Sequence, residues 1–133
     1  MRPEVIVHHL AQAKAALAAA DDAGFAIQLR SAAGAATAAG VGYLRALGEA
    51  AGHELLIDCG DDAGLVMAAL RSGCRKLLFS GSEDERKRLG QMAERVGAVL
   101  VVSAALPDDR LALSPDDAAA DALRTWLASR PAS

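Results

Sequence analysis

Apolar residues recur along this chain in two alternating rhythms, short β-branched runs and longer stretches at helical spacing. Val5, Ile6 and Val7, within Glu4 to His8, suit a first strand. Leu10, Ala13, Leu17 and Ala20 then recur as one helical face, with Gln12 and Lys14 on the wet side. Asp21, Asp22 and Gly24 end that helix, and Phe25 to Leu29 predicts a second strand closing on Arg30 and Ser31. From Ser31 to Gly42 the chain is almost wholly alanine, glycine, serine and threonine, so a small-residue loop is expected before a helix through Tyr43, Leu44, Leu47 and Ala50.

The next stretch organises the rest. Leu55, Leu56 and Ile57 form an apolar run, and Asp58, Cys59 and Gly60 follow at once. A buried parallel strand looks like this when it carries polar groups to the carboxyl edge of a sheet, where open α/β folds bind ligands. A helix presenting Leu65, Val66, Ala69 and Leu70 leads to Gly73, and Lys76 to Phe79 is a fourth strand ending in Ser80, Gly81 and Ser82. Ser82 and Glu85 have the spacing of a capping box, opening a helix that buries Leu89, Met92, Ala93 and Val96. Ala98 to Val102 is a fifth strand with Ser103 at its end, and Pro107, Asp108 and Asp109 read as a turn. Ser114, Pro115 and Asp117 then fit the start of a last helix packing Ala119, Leu123, Trp126 and Leu127.

The expected fold class is α/β, five successive βα units in a single domain over residues 1–133. Right-handed crossovers require a parallel sheet with flanking helices. Two closures compete: a flavodoxin-like three-layer sheet of order 2-1-3-4-5, and a curved, partial TIM barrel, since five units cannot complete the eight-stranded form. The curved version leaves apolar surface uncovered and predicts a homodimer.

Composition narrows the function classes. A net charge of −3, with 3% aromatic residues, offers neither the basic face nor the stacking platform of a nucleic-acid binder. No apolar run approaches a membrane span, and Gln12, Lys14 and the two histidines interrupt any signal-peptide centre, so a cytoplasmic location is expected. Cys59 and Cys74 stand fifteen positions apart, neither a CxxC pair nor a disulfide framework, and read as reduced thiols. No cofactor motif is complete.

Two segments, in this order, resemble the class II fructose-bisphosphate aldolase family of metal-dependent barrels. Ala26-Ile27-Gln28-Leu29-Arg30-Ser31, with Gly34-Ala35-Ala36 and Tyr43-Leu44, is similar to that family's second strand and its following loop. Leu56-Ile57-Asp58-Cys59-Gly60, through Ala68 to Cys74 and on to Leu77-Leu78-Phe79, resembles its Leu-Asp-His-Gly strand end, helix exit and fourth strand. The resemblance covers roughly residues 25 to 103. It implies an acid/base role for Asp58, but Cys59 stands where a metal-ligand histidine is required. Val99 to Ala105 holds no carboxylate to match the acidic ligand, and the later ligand histidines would fall past residue 133. An aldolase-like scaffold without the metal chemistry is therefore expected. Response-regulator receiver domains hold a phospho-acceptor and a switch residue roughly where Asp58 and Ser80 fall, yet His8-His9 occupies the place of their acidic pair and their lysine after strand five is absent.

The candidate catalytic residues are Asp58 and His8, since a histidine ending strand one could share the crevice and serve acid/base chemistry. Arg30, Ser31, Cys59, Ser80, Gly81 and Ser82 are candidate ligand contacts, with the Ser80–Ser82 turn and the following helix amides able to cradle a phosphate. Asp61 and Asp62 read as helix N-terminal charges, and His53 as a surface residue at the amino edge. The expectation is a non-catalytic binding or self-associating module, with a small phosphorylated ligand and a second copy of the chain as its candidate partners. The alternative is a lyase or isomerase acting on a sugar phosphate with Asp58 as acid/base.

Overall fold

The computed structural model describes residues 2–102 and 109–130. Their elements, in order, are β1 (Glu4–Val7), α1 (Leu10–Ala23), β2 (Gln28–Ser31), α2 (Ala35–Ala38), α3 (Val41–Ala51) and β3 (Ile57–Asp58). Next come α4 (Ala63–Arg71), β4 (Lys76–Phe79), α5 (Glu83–Arg95), β5 (Val99–Val102), β6 (Arg110–Ala112) and α6 (Ala119–Ala128). The class is α/β and every strand pairing is parallel.

The strands form two three-stranded sheets, β2-β1-β6 and β3-β4-β5. A single bridge between Arg30 and Leu56 links them. β1 therefore lies between β2 and β6, and the flavodoxin-like order, which sets β1 beside β3, is not the one formed. The sixth strand was not expected. Arg110, Leu111 and Ala112 carry no β-branched residue, and β6 exists because it pairs in register with Glu4, Val5 and Ile6. Ser103, Pro107 and Asp108 lie outside the described residues.

Alternation along the strands divides their side chains between two faces. Val5, Val7, Leu29, Ile57, Leu77 and Phe79 join one core with Ala13, Ala16, Leu44, Val66, Leu89 and Leu123 from the helices. The other face carries Glu4, Ile6, Gln28, Arg30, Leu56, Asp58, Lys76 and Leu78. No core helix residue packs there, yet Leu56, Leu78 and Glu4 are 3%, 1% and 3% exposed. A flat sheet with helices on one side would leave this face wet, so the strands curl around it. Among the described residues the curl does not close, because β5 and β6 do not pair.

Several elements differ locally from the sequence reading. Gln12 is buried instead of wet: its amide nitrogen donates to the carbonyls of Ser114 and Asp117, and its oxygen accepts the His8 amide. Met92 and Val96 are exposed, because α5 buries only Leu89 and Ala93. The Ser114–Asp117 stretch is a turn in front of α6, with Asp117 accepting the Ser114 amide at 2.7 Å, and the helix begins only at Ala119. No helix among the described residues is long and apolar enough to cross a membrane.

Candidate functional site

The polar groups of the curled face gather where β2 meets β3. Arg30, on β2, extends one guanidinium nitrogen to Glu4 Oε1 on β1 and the other to Asp58 Oδ2 on β3, each at 3.2 Å. All three side chains are nearly excluded from water. Burial favours such charges only when they are paired, and here one guanidinium serves two carboxylates while its Nε is buried without a hydrogen-bond partner. Asp58 is further committed, since its Oδ1 accepts the Gly60 amide at 2.9 Å and its own amide donates to Ser31 Oγ.

A second cluster lies beside the first. Lys76 Nζ on β4 donates to Gln28 Oε1 at 2.9 Å. The ammonium has only donors, which fixes the Gln28 oxygen toward it and turns the amide nitrogen to the carbonyls of Leu29 and Glu54, both at 2.8 Å. His53 Nε2 accepts the Leu29 amide at 3.0 Å and lies 3.1 Å from the Gln28 amide nitrogen. The ring is thus a neutral acceptor at Nε2. Burial, and then Lys76 and Arg2, hold its pKa below the ordinary imidazole value, with Glu54 opposing. His53 is half-buried, and the surface role expected for it is corrected here. The signal that could have found it was its place before an apolar strand too short to satisfy its neighbour alone.

The remaining candidates are dispersed. His8 directs Nε2 to the Leu113 carbonyl, and no hydrogen bond joins it to Asp58. His9 caps α1, accepting the Gln12 amide at Nδ1 and donating from Nε2 to the Pro115 carbonyl. Cys59 points into the helix-side core, where burial, and then the charge of Asp58, pushes its thiol up to about 12. A protonated, enclosed thiol is neither nucleophile nor metal ligand. The described residues contain no group of three or more His, Cys, Asp or Glu placed to hold a metal ion, so the metal implied by the aldolase resemblance does not fit.

Ser80 and Ser82 are exposed at the carboxyl edge. Ser82 caps α5, accepting the Glu85 amide, while its hydroxyl donates to the Glu85 carboxylate. Glu83, Asp84 and Glu85 fill the first turn of α5 and oppose an anion there. Gly81 has a packing reason of its own, since a Cβ at this position would enter the Phe79 ring. Asp62 caps α4 through the Leu65 amide. Two hollows lie at the opposite, amino edge: one of about 310 Å³ between α3 and β3–β4, another of about 480 Å³ beside α1, both walled by Gly52 and His53.

Compared with protein-family models, curated proteins and solved structures, the chain matches none.

Proposed function

We propose that this domain is a non-catalytic module that acts by self-association, pairing the outer edge of β5 with the same strand of a second copy. The observation that carries this reading is the contrast between β4 and β5. Leu77, Leu78 and Phe79 on β4 are at most 1% exposed, whereas Val99 on β5 is 57% exposed and Leu100, Val101 and Val102 are half-buried. Among the described residues β5 is hydrogen-bonded on its β4 side alone. Its Val-Leu-Val-Val sequence carries none of the lysines or prolines that blunt an edge strand. Two-fold pairing of one strand with itself gives a closed dimer, and a net charge of −3 opposes it little.

A binding module without catalysis also agrees with the inner face, where the terminal nitrogens of Arg30 are taken up by Glu4 and Asp58.

Sedimentation equilibrium across the micromolar range tests the proposal. The wild type should be dimeric, and Val99→Lys, placed on an exposed side chain, should be monomeric with an unchanged far-ultraviolet spectrum. A wild type that stays monomeric throughout overturns it.

A further inference from the structure

Among the described residues, His53 is the one side chain whose protonation state decides a backbone hydrogen bond across the junction of the two sheets. Its Nε2 faces donors only, the Leu29 amide and the Gln28 amide nitrogen. Gln28 cannot turn its oxygen toward the ring, because Lys76 holds that oxygen and two carbonyls hold the nitrogen. A proton on Nε2 would therefore set N–H against N–H. We propose that His53 is a proton-operated latch on the β2–β3 junction: neutral, it closes the junction, and protonated, it frees the Leu29 amide and lets the two sheets part locally.

The surrounding charges favour this behaviour. Lys76 faces the ring from β4 and Arg2 from the segment before β1, and both resist a further positive charge. Glu54, on the same loop as His53, is the opposing carboxylate. Arg45 and Glu49 from α3, and Arg75 before β4, line the hollow on one side of the ring, and Asp21 from α1 lines the other. The opening is local, because the Ser31 and Leu56 amides and the Arg30–Asp58, Ser31–Asp58 and Gln28–Glu54 contacts hold the rest of the β2–β3 junction. The neutral ring is the form that bonds, and its folded pKa lies below the ordinary 6.5. The latch is therefore fully closed above that pH and opens as the pH falls through the folded value.

Two measurements on the full chain test this. In nitrogen-15 spectra of the imidazoles, His53 should be the Nδ1–H tautomer at neutral pH and titrate below the ordinary imidazole midpoint; a midpoint at or above it overturns the proposal. In hydrogen exchange corrected for intrinsic rates, protection at Leu29 should fall about tenfold on acidification through that midpoint, the scale of one lost buried hydrogen bond. β4 amides should keep their protection. His53→Gln supplies a side-chain acceptor that does not titrate, so protection at this amide should become insensitive to pH. If the variant and the wild type lose protection alike, or neither does, His53 is not a latch.

Discussion

Two junctions in the same curled sheet are built in different ways. β1 and β2 meet over four consecutive residue pairs, Glu4 with Gln28 through Val7 with Ser31. β2 and β3 share one bridge, and side chains complete the contact: Arg30 to Asp58, Ser31 to the Asp58 amide, Gln28 to the Glu54 carbonyl and His53 to the Leu29 amide. The first junction rests mainly on backbone groups that every residue possesses, with one side-chain pair, Arg30 to Glu4, added across it. The second depends on the identity of five side chains, Gln28, Arg30, Ser31, His53 and Asp58. Exposure to point mutation and to pH is thus concentrated on one line through the molecule.

The largest effect that would break the second junction comes from Arg30→Met. It leaves Glu4 and Asp58 enclosed without a counter-charge, and denaturant unfolding should show a loss of about 3 to 5 kcal/mol. Next is Ser31→Ala, which removes the acceptor of the Asp58 amide at a position 1% exposed. A stranded buried donor should cost about 1 to 3 kcal/mol in the same measurement. The smallest effect belongs to the first junction. Ile6→Val trims one methylene from a half-buried side chain that makes no polar contact across β1–β2, and should cost about 0.5 to 1.5 kcal/mol. Amide exchange within β1 should be unaltered by it. An Ile6→Val loss as large as that of Arg30→Met would erase the distinction between the two junctions.

How much of this was legible depends on how local the cause was. β4 and the Ser82 cap follow from residues within a few positions of one another, and the sequence pattern predicts both. β6 depends on β1, more than a hundred positions away, and its three residues carry no strand signature. For the site, Asp58 and Arg30 stand out in sequence as charges at strand ends, but each suggests a ligand as readily as it suggests the other. Glu4 holds the missing clue: three charges at inward positions of three neighbouring strands point to mutual pairing once the strand order is known. Gln12 was misplaced for a similar reason, because its partners are carbonyls of a turn that no periodicity reveals.

The separation into β2-β1-β6 and β3-β4-β5 also bears on how the chain finds its structure. Pairings within the second sheet join segments about one βα unit apart, Ile57 with Leu77 and Lys76 with Val99. In the first sheet, Glu4 must find Arg110. Loop-closure entropy grows with separation and non-local pairing slows folding, so β6 is expected to dock after the local pairings β1–β2, β3–β4 and β4–β5. α6 packs on α1, so the part of α1 that it covers stays wet until this C-terminal segment docks. The β3–β5 sheet and the pairing with the largest closure cost thus fall on opposite sides of the junction that His53 completes.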